Sequence, residues 1–297
     1  MKRILQASSV AILVGLVWLS QSSSGAGTKD PSRSAAVKFF ESLSDEQKKQ
    51  AVLPYDSKDK YAENFPEVKR PGIPWAALKP EQKKLAEAVI VAMTSEYGGK
   101  RCLQVSKQSS EGGRYVTFYG EPSADKPFAW RVASHHLTLV YAEFSKAEEF
   151  GPILLGGNPV KDLWDDEDKI AQELYAALTP EEVKSVQGKG ANAGSGSAIG
   201  KAGARVGDLN EKARAQARKL FEKRLEVFAA DRRALMENIL KAEGGVDNLR
   251  LAVWGSIAKS FKESSYSWRL GNERITCDWQ TVGKEHLHLC VKAKAKG

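Results

Sequence analysis

Cysteine is scarce in this chain. There are three, an odd number, so at most one intramolecular disulfide can form and at least one thiol is left buried, metal-bound or reactive. None follows the apolar run near the N-terminus, so a bacterial lipoprotein anchor is not indicated. Beyond that run, Ala11 to Leu19, no other long apolar stretch occurs. Phosphate cradles are missing as well: neither Gly188-Lys189-Gly190 nor Gly194-Ser195-Gly196 has the spacing of a P-loop or a dinucleotide fingerprint. No Gly-x-Ser-x-Gly stands at a strand-to-helix turn and no Ser-His-Asp arrangement stands out, which disfavours a serine hydrolase. The formal charge of +8 falls largely in Lys189 to Arg205 and in Lys292, Lys294 and Lys296. These basic stretches carry no interleaved aromatics, as expected for solvated surface and not for a nucleic-acid groove.

What is present begins with Lys2 and Arg3, the apolar run, and Gln21-Ser22-Ser23-Ser24-Gly25-Ala26. That is the pattern of a signal peptide over 1–26, directing export to the periplasm or exterior, with the membrane touched only if the segment is retained. Residues 27–34 read as a flexible link and 35–297 as a single domain. Ala35 to Leu43 has helical spacing, Ser44-Asp45-Glu46-Gln47 reads as a capping box, and Pro80 opens a helix through Met93 that Gly98-Gly99 would stop. Between them Tyr55 to Ala76 is loop-like, with Tyr61, Phe65 and Trp75 available to fasten it. From Lys100-Arg101-Cys102-Leu103-Gln104-Val105 the period suggests strands: Arg114 to Tyr119, then a long strand from Phe128 through Phe144. Asp165 to Asp168 suits a helix N-terminus, and Thr179-Pro180-Glu181-Glu182 is a further capping box. Gly188 to Gly207 has linker composition. Two helices, Leu209 to about Phe228 and Asp231 to Ala242, precede four extended segments. The expected fold is α+β, helices packed against a mainly antiparallel sheet.

Histidine is the other scarcity, and it is informative. All four histidines lie in two places, His135-His136 and His286-Leu287-His288. On a strand His286 and His288 share a face with Cys290, giving a two-pronged nitrogen donor. If Gln280 pairs with His286, then Asp278 lies opposite His288, and Asp278, Gln280 and both histidines share a face that excludes Cys277. A one-residue slip would instead set Cys277 opposite Cys290, within reach of a disulfide, and turn Asp278 away. Adjacent residues in a regular strand face opposite ways, so only one of His135 and His136 should join the pair unless a bulge re-aims the other.

The order of these pieces resembles an exported bacterial family catalogued as domain of unknown function 3500. The carrying residues are Leu43 to Gln47, Leu78 to Gln82, Tyr119-Gly120-Glu121-Pro122-Ser123, Trp130-Arg131, His135 to Leu139, Gly157-Asn158-Pro159, Trp254-Gly255, Trp268-Arg269, Asp278-Trp279 and His286-Leu287-His288. The resemblance implies an exported α+β domain and supplies no activity. Val140 stands where that pattern carries an asparagine.

The residues themselves suggest a metal centre of His286, His288 and one or both of His135 and His136, with Glu121, Asp278 or Cys290 as a further ligand. Imidazole donors suit a divalent transition metal: zinc, copper or iron. Asp278 or Glu121 would act as general base and Arg131 and Arg269 would hold an anionic substrate, in metal-dependent hydrolysis or oxidation. The alternative is a non-catalytic binding module of the cell envelope with structural histidines, presenting Trp75, Trp164 and Trp268 to a small molecule or polymer.

Overall fold

Period-two alternation in both halves of the chain is realised as one sheet, described in a computed structural model. The structure describes residues 30–62, 68–123, 125–142, 149–192 and 194–295. The segment read as a signal peptide, residues 27–29 of the link, Phe65, Phe144 and Lys296 lie outside these. Eight α-helices are present among the described residues: α1 (Pro31–Glu41), α2 (Asp45–Ala51), α3 (Pro80–Ala92), α4 (Glu96–Ser106), α5 (Asp165–Ala177), α6 (Pro180–Val186), α7 (Glu211–Leu225) and α8 (Ala230–Ala242). The strands are β1 (Val52–Leu53), β2 (Ile73–Pro74), β3 (Tyr115–Tyr119), β4 (Ala129–Ala133), β5 (Thr138–Ala142), β6 (Phe150–Gly157), β7 (Ala204–Arg205), β8 (Arg250–Trp254), β9 (Ser267–Gly271), β10 (Ile275–Gly283) and β11 (His286–Ala293). Their order is β1-β3-β4-β5-β6-β11-β10-β9-β8-β7, with β2 on β3, and all described pairs but β1–β3 are antiparallel. The expected α+β class is what the chain adopts. None of these helices is long and apolar enough to cross a membrane.

Helix starts follow the chemistry of their first residues. Ser44 caps α2 while the Gln47 side chain accepts from the Ser44 amide at 2.9 Å, and Thr179 and Glu182 do the same for α6. Pro80 occupies the first turn of α3, where no amide partner is needed. Helix α1 begins at Pro31, inside the stretch read as a link. Residues 100–105, expected to be extended, belong to α4, which Ser95 caps by accepting the Gly98 amide. Gly98 therefore does not stop α3. It lets α4 press against the chain at Val227, whose carbonyl oxygen would lie 1.9 Å from a β-carbon at this position.

One face of the sheet carries the apolar core. Phe39 and Phe40 of α1 pack on Phe118, with ring centroids 6.0 and 5.3 Å apart, and Trp279 lies among Phe261, Tyr266 and Trp268. Each such fully buried side chain contributes about 1.5–3 kcal/mol relative to exposure. Trp75, Trp164 and Trp268 are all buried here, so they offer no surface platform for a polymer, contrary to the binding-module expectation. The alternate residues point to the other face, which is unusually polar for its burial: Thr117, Arg131, Thr138, His288, Asp278 and Arg269.

A guanidinium from the core side reaches the sheet backbone. Arg224 on α7, fully buried, pairs with Glu167 on α5 and donates to the carbonyls of Asp278 at 3.0 Å and Cys290 at 3.1 Å. The Cys290 amide bonds to the Asp278 side chain at 2.9 Å. Carboxylate and guanidinium thus supply bonds to backbone groups where β10 and β11 meet, two residue pairs from His288.

Candidate metal centre

The long strand expected over Phe128–Phe144 is instead a hairpin. Ser134 to Leu137 form a tight turn between β4 and β5, with the Ser134 amide bonded to the Leu137 carbonyl at 2.6 Å and the Leu137 amide to Ser134 Oγ at 3.2 Å. His135 and His136 are the two residues at its tip. Strand alternation does not apply at a tip, so both imidazoles turn to the same place and no bulge is needed.

Registers carry these histidines to the other pair. Thr138 faces Leu154 across β5 and β6, and continuing that register brings His136 beside Gly156. On its other side Gly156 faces His288 of β11, which in turn faces Gln280 of β10. His136, Gly156 and His288 therefore make one row across three strands. Because Gly156 has no side chain, the flanking imidazoles meet over it; a β-carbon there would lie 3.3 Å from His136 Cδ2 and 2.1 Å from the Leu287 carbonyl oxygen. The observed β10–β11 register sets Asp278 opposite Cys290, two residues from the expected pairing of Gln280 with His286. A two-residue slip preserves faces, so Asp278, Gln280, His286, His288 and Cys290 still share one side. Cys277 is on the other, and all three cysteines are buried and outside any disulfide, which rules out the disulfide-closed alternative.

All four histidines are brought together, with one donor nitrogen from each lying within 4.8 Å of the others, a cluster that could hold a metal ion. His286 Nε2 is 3.0 Å from His136 Nε2 and 3.1 Å from His288 Nε2. Bonds of about 2.0–2.1 Å to a common ion place donor nitrogens about 2.9–3.4 Å apart, depending on geometry. The rings of His286 and His288 are 85° apart and those of His136 and His286 81° apart, so their lone pairs approach from different directions. His135 differs: its ring stacks on His136 with centroids 3.9 Å apart and planes 13° from parallel. Stacking sets the two rings in nearly parallel, offset planes, so His135 presents its nitrogens beside those of His136 and not across from them.

Burial, reinforced by the neighbouring rings, holds the imidazoles neutral. Desolvation and then His135, His288 and His286 lower His136 to about 3; desolvation and then His286 and His135 lower His288 to about 3; and desolvation with His135 lowers His286. Neutral imidazole is the form that binds metal.

The remaining candidates fall elsewhere. Glu121 follows β3 at the Tyr119–Ala129 end of the hairpin, while the histidine turn is at the Ala133 end, about 13 Å along the strand. Asp278 spends its carboxylate on Ser195 Oγ at 2.6 Å, the Gly196 amide at 2.6 Å and the Cys290 amide; burial raises its pKa against the pull of Arg269. Arg269 lies 3.5 Å from Asp278 and donates to Asn192 Oδ1 at 3.1 Å and the Gly194 carbonyl at 2.6 Å. The stretch of linker composition thus lies on the polar face over these residues, with Gly194 and Gly196 at positive φ. Arg131 and Arg269 are five strands apart in the sheet order, roughly 24 Å, too far to clasp one small anion. Sequence reasoning missed the residues that position the cluster: Gly156, Ser109, whose Oγ accepts from the His135 amide at 3.1 Å, and Gln108, bonded to the Asn158 amide and the Pro159 carbonyl. The Asn-Pro segment is the usable signal among these, since the Val160 amide then bonds to the Glu285 carbonyl beside His286.

Residues 26–296 match the family described as Protein of unknown function (DUF3500), and the chain belongs to that family. No curated protein and no solved structure matches it.

Proposed function

We propose that this member of the DUF3500 family is an exported metalloprotein whose centre holds a divalent transition metal on His136, His286 and His288. The observation that carries the reading is the meeting of three Nε2 atoms at His286. One imidazole nitrogen has either one proton or one lone pair, so His286 Nε2 cannot make two good hydrogen bonds to two other ring nitrogens at 3.0 and 3.1 Å. A cation accepts all three lone pairs at once. Three protein nitrogens leave coordination open, the arrangement of catalytic and not of purely structural sites.

Such an ion supplies Lewis-acid or redox chemistry, hydrolysis if zinc is held and oxidation if copper or iron is. The chain's own residues then do the rest. The neutral imidazoles bring no negative charge, so the ion keeps its full charge for an anionic or polarisable group. His135, stacked against His136, would serve such an ion as a neighbouring proton exchanger or a fourth ligand.

The test is elemental analysis of the purified protein beside a His286→Ala/His288→Ala variant. Near-stoichiometric metal in the parent and none in the variant is expected. Equal and negligible metal in both removes the reading.

A further inference from the structure

Three guanidiniums among the described residues are no more than 2% exposed, and they are not alike. Arg224 has Glu167 and Arg269 has Asp278. Arg131, 2% exposed at the middle of β4, has no carboxylate partner among the described residues. Its Nη1 donates to the Asp59 carbonyl at 2.9 Å, while Nε and Nη2 make no hydrogen bond. An unpaired buried charge is costly, and breaking a buried pair typically costs about 3–5 kcal/mol. A lone guanidinium retained in such a place therefore calls for a partner.

The geometry of what is left over says what kind. Nε–H and Nη2–H lie on one edge of the guanidinium and point the same way, the edge that receives the two oxygens of a carboxylate side-on. Two further buried hydroxyls lie nearby. Tyr119, fully buried, holds its Oη beside the Arg131 guanidinium, whose charge and hydrogen bonding partly offset the upward push of burial on its pKa. Thr138, fully buried on the same face of the sheet, has a free Oγ1. Lys60, 4% exposed, adds a second cation on the other side of Tyr119, 6.0 Å from that ring.

We propose that Arg131, with Tyr119 as an auxiliary donor, is the anchor of a binding site for a small organic carboxylate. The carboxylate oxygens take the Nε/Nη2 edge and one accepts from the Tyr119 hydroxyl. The segment carrying Asp59 lies over the site and holds Arg131 by one backbone carbonyl. Thr138 lies toward the histidine turn, and the chain from Arg131's strand partner Val140 to His136 runs about 13 Å along β5. A carboxylate at Arg131 could thus present its other end toward the histidines, but the anchor stands whether or not they hold metal.

The experiment is a thermal-shift and calorimetric titration of the full chain with acetate, succinate, citrate and benzoate, at constant ionic strength, with sulfate and phosphate as tetrahedral controls. A ligand specific to the folded state raises the midpoint with the logarithm of its concentration. At least one carboxylate is expected to do so. Its affinity should fall about tenfold or more in Arg131→Lys, which keeps the charge and loses the fork. It should fall by less in Tyr119→Phe, which removes the auxiliary hydroxyl and leaves the guanidinium in place. Metal content should be unchanged in both variants, which separates this site from the histidine centre. The proposal is overturned if no carboxylate binds the parent, if sulfate or phosphate binds as well as any carboxylate, or if binding is equal in Arg131→Lys and Arg131→Met.

Discussion

His136 and His286 are 150 positions apart in the chain, and their Nε2 atoms are 3.0 Å apart in the fold. One comes from the tip of the β4–β5 hairpin and the other from the first residue of β11, and β6 with its glycine joins the two. Function is therefore assigned to a junction between the halves of the sheet, and several measurements bear on it.

Removing the histidines one at a time should not give equal results. His136→Ala, His286→Ala and His288→Ala each delete a converging nitrogen and should weaken metal binding by more than about a hundredfold, whereas His135→Ala should cost about 10–100-fold or less, the range for a supporting residue. Competition against a chromophoric chelator gives the order. Equal losses at all four would make His135 a full ligand.

The metal-free protein should lose stability in acid. His136 and His288 titrate near 3 in the fold against 6.5 for an ordinary histidine, so between those values the unfolded chain binds protons that the folded chain refuses. Their contribution is whole above pH 6.5 and is lost progressively as pH falls toward 3. Urea midpoints across this range should drop more steeply for the parent than for His136→Gln/His288→Gln, and parallel curves would contradict the depression.

Gly156→Ala tests the row across three strands. Its new methyl would sit 2.1 Å from the Leu287 carbonyl oxygen and 3.3 Å from His136 Cδ2, so backbone must shift. A loss of about 1–3 kcal/mol is expected from the overcrowding, together with weaker metal binding. Guanidinium denaturation and the chelator assay read the two effects separately, and unchanged metal affinity would show that His136 does not need the gap.

Arg224→Met and Glu167→Gln each leave a buried partner uncompensated. Each should cost about 3–5 kcal/mol, while Glu167→Gln/Arg224→Met should cost less than the sum because both charges go together. Arg224→Met should also lower metal affinity, because it removes bonds to the backbone two residue pairs from His288. Chemical denaturation of the two single variants and the double variant completes the cycle.

Parity made much of the site legible. Alternation alone placed Asp278, Gln280, His286 and His288 on one side of the sheet, and a two-residue error in register could not disturb that. The error arose because β10 continues to Gly283 and turns through Lys284-Glu285, with Glu285 at positive φ where no glycine marks it. The turn at Ser134–Leu137 was hidden for a similar reason: it contains no glycine, proline or asparagine, and its amides bond to Ser134, Leu137 and the distant Ser109. Residues 100–105 looked extended because their apolar positions are few and Gly98-Gly99 resembles a helix stop. Only the approach of Val227, fixed by tertiary packing, shows why glycine is there. The burial of Arg131 and the pairing of Asp278 with Ser195 and Gly196 depend on loops closing over the sheet, which composition does not disclose.

The two hairpins that supply the histidines have a mechanical consequence. An ion shared between His136 and the β11 pair ties together points 150 residues apart, as a covalent cross-link would. In the chain-entropy view, closing a loop of about 100 residues is worth about 4.7 kcal/mol, growing slowly with length. Unlike a disulfide, this tie needs no oxidant and is undone by a chelator or by acid, so the protein's resistance to unfolding would track the metal supply of its surroundings.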